Sequence, residues 1–143
     1  MRNIVMVLPA IALLGGLNSC VADHPKSQPV ANCPVIGEGK FEAWLDAMPG
    51  LGSTGPTLNI AGKVDLPTPG YKLELIAGPA DRAMPPSQRF RLVATAPGGM
   101  VAQVVTTTEV KYRAHAQYPA YRSLVILCGG RSVATISDIP TVH

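Results

Sequence analysis

The stretch Leu58-Asn59-Ile60-Ala61-Gly62-Lys63-Val64-Asp65-Leu66 runs into Pro67-Thr68-Pro69-Gly70 and then Tyr71-Lys72-Leu73-Glu74-Leu75, and its reading decides the fold. Apolar residues recur at alternate positions, with Asn59, Lys63 and Asp65 between them. Period two is the pattern of a strand with one face on a core and the other in water. Proline restricts φ and glycine accepts positive φ, so 67–70 reads as a turn. So short a link predicts that the strands ending at Leu66 and starting at Tyr71 are antiparallel neighbours.

The pattern extends both ways along the chain. Phe41, Ala43, Leu45 and Ala47 alternate with Glu42, Trp44 and Asp46, which fits a strand, although Phe41 to Met48 also fits two helical turns. Gly78 to Ser87, with three prolines, reads as a long loop. Phe90, Leu92 and Ala94 alternate with Arg89 and Arg91, and Pro97-Gly98-Gly99 turns the chain into the Val- and Thr-rich Val101 to Thr108. Val110, Tyr112, Ala114 and Ala116 alternate with Lys111, Arg113, His115 and Gln117. Ser123 to Cys128 is nearly all apolar, as in a central strand covered on both sides. Gly129-Gly130 offers the two positive-φ positions of a type I′ hairpin, with Arg131 to Ile136 as its return strand.

Seven or eight strands and no convincing helix predict an all-β domain, an antiparallel β-sandwich with an immunoglobulin-like arrangement; a small β-barrel is the alternative. The Cys-Trp-Cys relation of antibody domains is absent in its usual form, since Trp44 stands only eleven residues after Cys33.

The N-terminus has a different character. Met1-Arg2-Asn3 is positively charged, and Ile4 to Leu17 is an apolar run of 14 residues without charge. A membrane-spanning helix needs roughly 17–25 residues. Pro9 and Gly15-Gly16 also weaken a long helix, so the run reads as the apolar part of an export signal. Leu17-Asn18-Ser19-Cys20 resembles the lipobox of bacterial lipoproteins. That resemblance implies a lipid on the Cys20 thiol, removal of residues 1–19 as signal peptide, and a chain anchored to a membrane of the cell envelope, facing the periplasm or exterior. An ordinary secretory signal ending at Ala22 is the competing reading. Residues 20–32, with Pro25 and Pro29 and no periodicity, form the lipidated cysteine and a flexible tether, and 33–143 the domain. Twelve extended residues reach on the order of 35–40 Å.

With Cys20 used by lipid, Cys33 and Cys128 remain, a pair suited to one disulfide in an oxidising compartment; two buried free thiols are the alternative. The ring would span about 95 residues, worth roughly 4–5 kcal/mol in the chain-entropy account. Neither cysteine has the C-x-x-C spacing of a zinc or redox site.

Net charge is modest and gives no reason to expect a nucleic-acid partner. Its distribution is uneven: four Lys against seven Asp and Glu from Cys20 to Asp81, then seven Lys and Arg against two Asp and Glu from Arg82 onward. Such polarity can orient a domain on an anionic surface, although charges that simply solvate sheet faces give the same count.

Catalysis finds little support. His24 falls in the tether and His143 is the last residue, so His115 is the one histidine within the strand pattern, and its same-face neighbours Lys111 and Arg113 are cationic. Ser132, Ser137 and Asp138 match no nucleophile motif. Glu38, Glu42 and Asp46 read as a wet strand face, Pro97-Gly98-Gly99 lacks the lysine of a phosphate loop, and Met48, Met84 and Met100 pair with no histidine. No metal or cofactor is expected.

One constellation is worth carrying forward. Arg89 and Arg91 share one strand face, Lys111, Arg113 and His115 share another, and Tyr118, Tyr121 and Arg122 follow. If the two strands lie in one sheet, they form a cationic patch rimmed by tyrosines, fitted to an anionic polymer, lipid headgroups or an acidic protein. The expected function is therefore a non-enzymatic binding or structural module for an envelope protein or polymer. Inhibition of exported proteases through the Gly78–Ser87 and Tyr118–Arg122 loops is one alternative, and an enzyme with an unrecognised site another. For the anchor, metabolic labelling with a fatty-acid analogue should mark the wild type and not Cys20→Ala; labelling of both, or of neither, rejects the lipoprotein reading.

Overall fold

A computed structural model describes residues 32–50 and 54–143. Cys20, the signal segment and the tether up to residue 31 lie outside the described residues. Eight strands form: β1 (Ile36–Asp46), β2 (Thr57–Leu66), β3 (Lys72–Ala80), β4 (Ser87–Thr95), β5 (Thr106–His115), β6 (Ser123–Cys128), β7 (Arg131–Ile136) and β8 (Thr141–Val142). They build two four-stranded sheets, β5-β2-β1-β8 and β3-β4-β6-β7, packed as a sandwich and not closed into a barrel. The ambiguous stretch 41–48 is strand through Asp46.

The alternation read in the sequence is what fills the space between the sheets. Leu45, Leu58, Ile60, Val64 and Leu66 of the first sheet meet Phe90, Leu92, Leu124, Ile126 and Val133 of the second, all essentially excluded from water. Phe90 and Tyr112 bridge the two sheets edge to face, ring centroids 5.0 Å apart. Phe41 lies opposite Gly62 in the β1–β2 ladder, and its ring occupies the space a Cβ at Gly62 would need. Gly129 and Gly130 have φ of 56° and 81°, the backbone that the β6–β7 hairpin requires.

Two expectations are corrected. The strands flanking 67–70 do not pair: β2 lies between β1 and β5, while β3 pairs with β4 in the other sheet. The turn crosses the gap of about 10 Å between stacked sheets instead of folding back within one. Its anchor points are Leu66 and Thr68, both buried, and Gly70 at φ 90°, which sits against Pro97. Nor are the sheets purely antiparallel, since β4 runs parallel to β6 and β1 parallel to β8. The chain leaves β4, crosses to the first sheet as β5 and returns as β6, so two crossings restore the original direction.

The first sheet keeps the 1-2-5 order of an immunoglobulin sandwich, and β6-β7 keeps the final hairpin. The fourth strand differs: it sits between β3 and β6, where an immunoglobulin domain pairs its third strand with its sixth. Tyr121, two residues before β6, is buried, and its hydroxyl accepts the Gln117 N–H at 3.1 Å. That is the tyrosine corner of Greek-key sandwiches, at the corresponding corner of this fold.

Cys33 and Cys128 are bonded, with Cα atoms 5.2 Å apart. The bond ties the segment leading into β1 of the first sheet to the end of β6 in the second. Arg131 reinforces it by donating to the carbonyl oxygens of Val35 at 2.7 Å and Gly37 at 2.9 Å.

The Phe41–Gly62 contact yields a stability prediction. A Cβ at position 62 would fall onto the ring of Phe41. Gly62→Ala should cost about 1–3 kcal/mol in urea unfolding, the range for overpacking a filled core. Ala61→Ser, on the opposite face of the same strand, should stay within about 0.5 kcal/mol of wild type. Equal effects of the two substitutions would contradict the assigned register.

Candidate functional site

The proposed cationic patch divides. Arg89 and Arg91 project from β4 on the outer face of the second sheet, whereas Lys111, Arg113 and His115 project from β5 on the outer face of the first. The condition for one patch, that both strands share a sheet, is not met.

On the first sheet the cations are interleaved with carboxylates. Lys63 pairs with Glu109 at 3.3 Å, an exposed pair of little energetic weight. Lys111 and Glu42 flank Ala61 from the two neighbouring strands, and a shallow depression of about 460 Å³ lies among these residues. The His115 ring rests against Gly55, so it closes a loop.

The second sheet presents a different face. Ile76, Arg91 and Leu127 stand in one row across β3, β4 and β6. Arg89 stands two positions along β4, roughly 6–7 Å from Arg91 by strand geometry. Ile76, Val93 and Leu127 are half-buried and supply an apolar floor. β6, which reads as a strand covered on both sides, is thus only partly covered on its outer side. Asn32, Pro34 and the Gly129-Gly130 turn, held together by the disulfide, wall one side. The result is a trough of about 850 Å³. Among the described residues neither arginine has an ion pair, and Lys72 on the same face adds a third cation against the single carboxylate of Glu74. Arginine combined with a half-buried apolar floor suits a partner that brings both carboxylate or phosphate groups and apolar surface.

Tyr118, Tyr121 and Arg122 belong to neither face. Tyr121 makes the corner described above, burial raises the pKa of its phenol, and Tyr118 packs on it edge to face at 5.7 Å. Both tyrosines are framework, and they do not rim a patch. Arg122 is exposed at the same end of the sandwich, where its N–H donates to the Pro86 carbonyl at 2.8 Å. That bond joins the two loops expected to act together in protease inhibition. Loop 81–86 is organised by Asp81, whose Oδ1 accepts the N–H groups of Ser87 at 2.9 Å and Ala83 at 3.1 Å. The Met84–Pro85 peptide within it is cis.

Sequence reading missed three elements: the trough, the Arg131 clamp and buried Gln88. Gln88 faces the core, donates through Nε2 to the Gly78 carbonyl at 3.1 Å, and among the described residues leaves its Oε1 without a partner. Its position in the inward series with Phe90 and Leu92 was readable, but nothing in the sequence marks its amide as buried. Among the described residues no group of three His, Cys, Asp or Glu side chains converges as a metal site does, and no helix is long and apolar enough to cross a membrane.

The fold is a two-sheet β-sandwich with a disulfide-walled trough. In comparisons with known proteins, no family model, curated protein or solved structure matches this chain.

Asp81 gives a pH prediction. The Ser87 N–H holds its carboxyl below the ordinary value of 3.8, helped by the Ala83 N–H and the Arg122 charge and opposed by desolvation. A lowered native pKa contributes stability above the unfolded-state value, and that contribution is lost as pH falls through the native one. The advantage of wild type over Asp81→Asn should therefore be present at neutral pH and shrink below about pH 4. A gap in melting temperature that stays constant from neutral to acid pH would refute the charge-assisted bracing of this loop.

Proposed function

We propose that this chain is a lipid-anchored protein of the cell envelope whose sandwich domain works as a non-enzymatic binding module. In this reading the trough on the second sheet takes an anionic polymer or an acidic protein segment. One observation carries it: Arg89 and Arg91 lie side by side, without ion pairs among the described residues, on a half-buried apolar floor. Like charges at this spacing repel each other, so a bound anion relieves a cost present in the free protein. The carboxylate-rich first sheet offers no comparable surplus of positive charge.

The anchor enters through the resemblance of residues 17–20 to a lipobox, and the disulfide agrees with an oxidising compartment. The protease-inhibitor alternative keeps one supporting observation, the joining of loop 81–86 to the 116–122 segment through Arg122 and Pro86. The two readings use different parts of the molecule, so variants separate them.

Titration calorimetry of the full chain with an oligoglutamate probe tests the trough. Arg89→Ala with Arg91→Ala should weaken binding about tenfold or more, equivalent to about 1.4 kcal/mol, and reduce its salt dependence. Arg113→Ala should leave affinity unchanged. Equal loss in both variants, or none in either, rejects the trough as the anion site.

A further inference from the structure

The β4–β5 loop carries three of the large apolar side chains that the described chain holds in water. Residues 96–108 contain no charged side chain. Within them Met100 is fully exposed, and Val104 and Val105 are 59% and 62% exposed. A soluble domain gains nothing from holding three large apolar side chains in water on one loop.

The position of this loop gives it meaning. β2 ends at Leu66 opposite Thr106, where β5 begins, and Ile36 of β1 pairs with Asp65 beside them. Lys72 pairs with Thr95, which places the start of β3 and the end of β4 there too. Gly70 touches Pro97, so the 67–71 turn packs on the loop itself. The segment beginning at Asn32 arrives at this same end, held by the disulfide and by Arg131. The opposite end carries Asp46, Asp81, Arg82, Arg122 and Asp138. The 96–105 loop is thus uncharged, whereas the opposite end carries these charges together with exposed Met48 and Met84.

We propose that the Met100–Val105 loop is a second membrane contact, seated in the lipid headgroup region of the bilayer that holds Cys20. The proposal rests on the lipid-anchor reading and deepens it. Twelve residues separate Cys20 from Cys33, a contour length of roughly 35–40 Å, and an inserted loop would fix which end of the domain faces the lipid. A protein-borne contact adds to the hold of the lipid. Met and Val side chains at a loop tip suit shallow insertion. Lys72, beside the loop, lies within reach of anionic headgroups. With this end down, the trough of Arg89 and Arg91 opens sideways, parallel to the membrane plane.

The single tryptophan of the chain makes a direct test possible. Trp44 sits opposite Asn59, towards the charged end. The full chain is coupled through its Cys20 thiol to a maleimide phospholipid, in vesicles of phosphatidylcholine and phosphatidylglycerol containing lipid brominated near the head of the acyl chain. Coupling makes the outcome independent of whether Cys20 is lipidated in cells, which fatty-acid labelling decides separately. Tryptophan placed in the loop, as Val104→Trp or Met100→Trp with Trp44→Phe, should be quenched roughly threefold more than native Trp44 and shift to the blue. Quenching of both loop variants no stronger than that of Trp44 overturns the proposal, and assigns the exposed loop to a protein partner instead.

Discussion

The Cys33–Cys128 bond is the constraint on which the functional geometry depends. It joins a residue ahead of the first sheet to the last residue of the central β6 strand in the second. Closing a loop of 95 residues restricts the unfolded chain by roughly 4–5 kcal/mol in the entropic account. Its effect on the native state is more specific. The two sheets are clamped at one end, Asn32 and Pro34 are held beside the Gly129-Gly130 turn, and the trough acquires a wall. Arg131 acts in parallel, taking the carbonyl of Val35 in that segment and that of Gly37 at the start of β1. Without these ties nothing holds the incoming chain beside the turn, and the outer face of β6 loses that wall.

The second determinant is the placement of β4. Had it joined the first sheet, as the fourth strand does in an immunoglobulin domain, Arg89 and Arg91 would share a sheet with Lys111 and Arg113. Insertion of β4 between β3 and β6 moves its arginines to the other face, away from Glu109 and Glu42, and sets them among Ile76, Val93 and Leu127. A dispersed and largely neutralised charge pattern thereby becomes a local surplus of positive charge over an apolar floor. The crossover through β5 that permits this also creates the long β4–β5 connection, and so the uncharged loop at the end where the segment from Asn32 enters.

The sequence made the strands legible because each carries its own period. Val64 and Leu66 alternate with Lys63 and Asp65 whatever they pair with, and Gly129-Gly130 states its turn type in two residues. Pairing is another matter, because it is decided by contacts between distant segments. The 67–70 turn has the composition of a hairpin, but whether it folds back or crosses depends on Leu66 and Thr68 finding cover in the core, which no local pattern encodes. The candidate site suffered from the same limit. Each half of the cationic set was correctly placed on a strand face, and only topology separated them. Tyr121 shows the limit from the other side: its phenol looked like a rim for a ligand, but the Gln117 amide four residues back claims its oxygen. The disulfide was accessible earlier because cysteine pairing can be argued by count, without topology.

These features together make a domain with direction. Chain entry, disulfide, Arg131 clamp and uncharged loop gather at one end, while Asp81, Arg122 and the braced 81–86 loop occupy the other. The trough runs along the side between them. Such a layout keeps three kinds of surface apart on a small domain: an uncharged loop with exposed apolar groups, cations without ion pairs among the described residues over partly covered apolar area, and a loop braced by a solvated carboxylate. A sandwich of this size can hold all three because its two sheets supply two independent outer faces and two independent sets of loops, and the bond between Cys33 and Cys128 holds them in one register.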